Sequence, residues 1–137
     1  MSLEVRTYGS YANEIGRWSY MIEYCSGKAQ GEVVHSDSGE ERGTTDTQMK
    51  LMAILKALTY LGSIDAIDPI LIKSDCSLCI KCITKEFDCT SDGAFKRDKV
   101  TRGFVQYLQE IWWKIGSLDL KFEVSTSTDT ISGYQKE

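Results

Sequence analysis

Ile70-Leu71-Ile72-Lys73-Ser74-Asp75 decides the fold. Three consecutive apolar residues read as a short strand covered on both faces, the habit of parallel sheets. The run stops at a carboxylate, and a helical stripe starts at once. Cys76, Cys79, Ile80, Ile83 and Phe87 fall at i, i+3, i+4, i+7 and i+11. Upstream, nearly every residue from Met49 to Leu61 is apolar except Lys50, Lys56 and Thr59, so a central helix is expected over Thr45–Leu61. Thr44 or Thr45 suits its N-cap and Asp46 its first turn. Gly62 and Ser63 end it.

Further out, residues 4–8 and 17–25 read as strands. Trp18, Tyr20, Ile22 and Tyr24 alternate with Ser19, Met21 and Glu23. Ser26-Gly27-Lys28 suits a hairpin turn, and Gln30–His35 a returning third strand. Ser36–Gly43 is polar with two glycines and reads as a loop. Val100, Phe104, Leu108, Ile111 and Ile115 mark a third helix, closed by Gly116-Ser117. Leu118 to Val124 alternates as a last strand, and the polar tail 125–137 is expected to fray. The order is βββ-α-β-α-α-β. A hairpin pair followed by βα units implies an α/β fold with a mixed sheet.

The totals bound the function. One domain, residues 1–137, is expected from the length. A net charge of −4 does not suit a surface that grips nucleic acid everywhere. A local basic cluster, Lys96, Arg97, Lys99 and Arg102, is diluted by Asp98 and reads as solvated loop charge. No signal segment and no membrane-spanning run is visible, so a cytoplasmic protein is expected. In that compartment the five cysteines should be thiols. Cys76-x2-Cys79-x2-Cys82, with Cys89 beyond, superficially suggests zinc or iron–sulfur. Its helical placement argues for metal-free, unbridged thiols, with Cys76 and Cys79 buried. His35, the one histidine, reads as a strand residue without a catalytic task.

Three segments in this order resemble the type 1 ribonuclease H family. They are Thr7-Tyr8-Gly9-Ser10, Thr44-Thr45-Asp46-Thr47-Gln48-Met49-Lys50, and Ile70 to Asp75. The resemblance covers roughly residues 3–124. It implies a five-stranded mixed sheet, order 3-2-1-4-5, with helices on both faces. It also implies a site. The family holds two metal ions with an Asp before the first Gly-Ser, a Glu on the first helix and an Asp after the fourth strand. Those positions are Tyr8, Lys50 and Asp75 here. The family's fourth acid, preceded by a His, has no counterpart; Asp129 and Glu137 sit in no recognisable motif. For nucleic acid, the resemblance points to Ser10, Asn13, Thr44 and Thr45. Asp46-Thr47 stands where the family has an Asn pair, and Asp46 would repel phosphate.

Two-metal hydrolysis needs several carboxylates converging on two cations. A neutral phenol and an ammonium cannot supply them. The expectation is a catalytically inactive, vestigial site at Asp75, with no metal and no cofactor. The ligand would be an RNA/DNA hybrid, another nucleic acid or another protein. The alternative is an active, metal-dependent hybrid endonuclease with Mg²⁺ or Mn²⁺, using Asp75 and unrecognised acids such as Glu40, Glu41 or Asp129. A metal or redox protein built on the cysteines is the third reading. Each site residue also has a plain explanation: Asp75 as a helix cap, Lys50 paired with Asp46 at i−4, Tyr8 as packing. If the resemblance holds, Lys50 should pair with Asp75, and Tyr8 should donate to or cover the pair.

Overall fold

The computed structural model describes residues 2–84, 102–116 and 118–125. Five strands form one sheet: β1 (Leu3–Ala12), β2 (Ile15–Tyr24), β3 (Val33–Glu41), β4 (Ile70–Ser74) and β5 (Leu120–Val124). Their order is β3-β2-β1-β4-β5. The first three run antiparallel, and β4 is parallel to both β1 and β5. Three helices are described: α1 (Asp46–Ser63), α2 (Ser77–Ile83) and α3 (Arg102–Ile115). They enclose a core with one face of the sheet, so the helical cover expected on both faces is met by the described residues on one.

Alternation builds that face. Leu3, Val5 and Thr7 of β1 point inward with Trp18, Tyr20 and Ile22 of β2 and Ile70 and Ile72 of β4. α1 closes over them; Met49, Leu51, Ile54, Leu58 and Leu61 are wholly buried. Side chains of this kind contribute roughly 1.5–3 kcal/mol each when fully buried, which holds α1 in place. Thr45 caps α1, its hydroxyl accepting from Gln48 N at 3.1 Å. α3 adds Leu108 and Ile111, and Trp112 Nε1 donates to the Ile83 carbonyl at 3.0 Å, tying α3 to the end of α2.

Three expected boundaries change. β1 and β2 extend to a two-residue hairpin turn at Asn13-Glu14, with φ of 53° and 65°. Positive φ at both central residues is the turn that matches strand twist. β3 covers Ser36–Glu41, which the sequence reading assigned to a loop. An edge strand open to water needs no apolar alternation, and pairing with β2 alone forms it. The β2–β3 connection is longer than a Ser26-Gly27-Lys28 hairpin. Gly31 N donates to Tyr24 O at 2.8 Å, and Gly27 and Gly31 both have positive φ.

Candidate functional site

β1 outlasts its parallel neighbour. Pairing with β4 runs from Leu3↔Ile70 to Arg6↔Lys73 and stops. Thr7 then bonds through its side chain, Oγ1 donating to Lys73 O at 2.9 Å. Two residues on, Gly9 lets α1 press against the strand. A Cβ there would lie 2.5 Å from Met49 C and 2.6 Å from Lys50 Cα. The bare strand therefore brings Lys50 to the point where β4 ends.

Lys50 Nζ donates to both Asp75 oxygens at 3.0 Å. Asp46, one turn earlier on α1, approaches Nζ at 3.8 Å. The Lys50 and Asp75 side chains are 17% and 24% exposed, so the pair is mostly covered. Burial works against the ammonium. The hydrogen bonds and charge of Asp75, with Asp46 and Cys76 behind them, outweigh it and raise the Lys50 pKa above its usual 10.5.

Asp75 is not the cap of α2. Cys76 is: its Sγ accepts from Cys79 N at 3.3 Å. Its own N–H donates to Ser74 Oγ at 3.1 Å. The Cys79 thiol hydrogen bond, aided by the Cys79 N–H and the Lys50 charge, lowers the Cys76 pKa despite burial. The same thiol contact and burial push Cys79 well up. Cys79 is buried and Cys76 half-buried rather than fully covered. Cys82 corrects the expectation of unbridged thiols. It is disulfide-bonded. Sequence spacing carries no sulfur–sulfur distance, which is what decides bridging. Cys89 lies outside the described residues.

The other expected site residues disperse. Tyr8 and Ser10 project from the sheet face opposite α1. They line a hollow of about 400 Å³ with Arg17, Ser19, Ser38 and Glu40. Asn13 occupies the hairpin turn, where its left-handed backbone has a local reason. Thr45 is spent on the helix cap, and Thr44 Oγ1 donates to Gln48 Oε1 at 3.0 Å. Glu40 pairs with Arg17 at 3.0 Å, three strand positions from β4, roughly 14 Å by inter-strand spacing. Asp129 and the basic cluster from Lys96 to Arg102 fall outside the described side chains. His35 stacks on Tyr60, centroids 3.9 Å apart, as a packed ring.

On the open face the sequence reading missed a ladder of charges. Glu4 bridges Arg6 at 2.7 Å and Lys73 at 3.6 Å. Arg6 also meets Glu23, and Lys73 meets Glu123. Strand alternation places these five on one face, a signal available only once the strand pairing is known.

Comparison of the whole architecture identifies the fold. The N-terminal RNase H domain of Rv2228c from Mycobacterium tuberculosis superposes with a TM-score of 0.74 at 7% identity, over 95% of this chain and 92% of that one. This chain has a ribonuclease H-like fold. RNase H1 from the halophilic archaeon Halobacterium salinarum NRC-1 gives 0.63 at 14% identity, over 94% and 90%. LC11-RNase H1, solved in complex with an RNA/DNA hybrid, gives 0.61 at 13% identity, over 88% and 84%. No family model and no curated protein matches the sequence. Identities this low carry the fold and not the chemistry.

Ribonuclease H-like folds imply divalent metal, and the donor set here does not fit it. Both Asp75 oxygens are engaged by an ammonium, and that ammonium would repel a cation. Among the described residues, no three His, Cys, Asp or Glu side chains converge to hold a metal. Nor is any described helix long and apolar enough to cross a membrane.

Proposed function

We propose that this protein is a ribonuclease H-like domain that binds nucleic acid without cutting it. The supporting observation is Lys50 Nζ at 3.0 Å from both oxygens of Asp75. An internal cation stands at the end of β4 and neutralises the one matched acid, so hydrolysis through two metal ions lacks its ligands. The ligand is an RNA/DNA hybrid, the species bound by LC11-RNase H1 with the same fold. Ser10, Asn13, Thr44 and Thr45 are the residues through which it would be approached. Thr44 and Thr45 act through backbone placement, because their hydroxyls serve the start of α1.

The test pairs binding with cleavage. Anisotropy of a labelled hybrid in EDTA should show saturable binding. Incubation of the same hybrid with Mg²⁺ or Mn²⁺ should leave it intact. Metal-dependent cutting that disappears in Asp75→Asn would overturn the proposal in favour of an active endonuclease. Intact hybrid with no binding would remove the RNA/DNA hybrid as the ligand and leave another nucleic acid or a protein partner.

A further inference from the structure

A pair of sulfurs stands beside Lys50 and Asp75. Cys76 and Cys79 are separated by Ser77 and Leu78 at the start of α2. Within a regular helix, side chains three apart have Cβ atoms about 5–6 Å from one another, beyond the roughly 3.5–4.5 Å of a disulfide. Cys76 lies outside that regularity. Its backbone is extended, with φ −98° and ψ 97°, and Sγ folds back to 3.3 Å from Cys79 N.

Their access differs. Cys79 is fully enclosed, its thiol donating to Thr47 O at 3.7 Å, while Cys76 is half-buried. A reagent arriving from solvent therefore meets Cys76 first. The charged groups facing Cys76 are Lys50, which favours its thiolate, and Asp75, which opposes it.

We infer that Cys76 and Cys79 are a redox-active pair that exchanges with small disulfides such as oxidised glutathione, with Cys76 the attacking sulfur and Cys79 the resolving one. The Cys76 thiolate attacks one sulfur of the glutathione disulfide. That S–S bond breaks, and one glutathione thiolate leaves with the electron pair. The Cys79 thiol then gives its proton to solvent and attacks Cys76 Sγ, expelling the second glutathione. Two protein thiols become one disulfide, and one oxidised glutathione becomes two reduced ones. This chemistry is independent of hybrid binding, so the failure of one leaves the other standing.

The sequence provides a clean readout. Trypsin cuts after Lys73 and Lys81 and releases residues 74–81, which contain Cys76 and Cys79 but not Cys82. The full chain is incubated with oxidised glutathione, quenched in acid, alkylated, digested and weighed. Peptide 74–81 should be two hydrogens lighter, unalkylated, and restored by reduced glutathione. Cys79→Ser should hold one glutathione on Cys76. Cys76→Ser should leave Cys79 modified at least about tenfold more slowly. Cys25, also half-buried and held by Ser2 Oγ at 3.0 Å, is the internal reference; Cys76 should react about tenfold faster than it. A wild-type peptide recovered with both thiols alkylated, or linked to another peptide, would overturn the inference without any variant needing to fold. So would a Cys79 that reacts equally fast in Cys76→Ser, or a Cys76 no faster than Cys25.

Discussion

Replacing Lys50 with Met tests whether the ammonium is structural. Met keeps most of the aliphatic stem and deletes the charge, leaving a largely covered Asp75 carboxylate with a second carboxylate, Asp46, nearby. Breaking a fully buried pair costs about 3–5 kcal/mol, and an exposed pair contributes under about 1 kcal/mol. Here the partners are 17% and 24% exposed, so an intermediate cost of about 2 kcal/mol follows. For a domain of this size that lowers Tm by roughly 6–10 °C. Lys56→Met is the control. Its ammonium lies 5.4 Å from the Trp18 ring centroid on an exposed helix position, worth about 0.5 kcal/mol. Urea denaturation and thermal melts of both variants give the comparison. The cycle with Asp75→Asn should show a coupling of about 1–2 kcal/mol. pH adds an independent arm. The folded Lys50 pKa lies above 10.5, so its contribution is complete below the unfolded value and decays as pH rises through the folded one. The gap between wild type and Lys50→Met should therefore hold steady to about pH 10 and shrink above it. Equal destabilisation by Lys50→Met and Lys56→Met, or a coupling near zero, would refute the reasoning.

Lys50→Glu places a third carboxylate beside Asp46 and Asp75. That variant should be destabilised in EDTA and regain several degrees of Tm with millimolar Mn²⁺, while wild type shows no shift; a variant indifferent to Mn²⁺ would mean the acids do not converge. Gly9→Ala should cost about 3 kcal/mol or more, because the new Cβ meets α1 backbone that cannot swing aside, and a near-neutral urea midpoint would contradict that packing. Burial, with Asp37 and Tyr60 behind it, pushes the Tyr20 phenol up to about 12. Its protonated form thus supports the fold below the ordinary value of 10.0, and that support is lost as pH climbs through about 12. Burial, Glu41 and Glu110 also raise Tyr107, so an ultraviolet titration should show a late tyrosine phase that Tyr20→Phe reduces; an unchanged curve would reject the assignment.

Legibility from sequence followed where side chains report burial. Ile70 to Asp75 announced a parallel strand because both faces had to be apolar. The helix from Thr45 was legible through its cap and apolar run. The Lys50–Asp75 contact was legible through motif order, because the fold fixes where those two positions meet. β3 was missed because an edge strand such as Ser36–Glu41 is held by backbone pairing and leaves no periodic trace. The Asn13-Glu14 turn was missed because Glu rarely adopts positive φ. The close approach of Gly9 to α1 was not legible, because a glycine leaves no side chain to report which neighbour it meets. The cap on α2 went to Cys76 because both Asp75 oxygens were already committed to Lys50.

Arg6, Arg17, Lys50 and Lys73 each rest against a carboxylate of the same chain. Such cations are already neutralised before any polyanion arrives, and a phosphate that contacts them must displace a carboxylate rather than merely shed condensed counterions. Each phosphate neutralised by a free cation on B-form DNA contributes a slope of about −0.9 to log K against log salt. These four would contribute little of it. Replacing Arg6 or Lys73 with Gln should accordingly leave the slope of log K against log salt for a bound hybrid nearly unchanged.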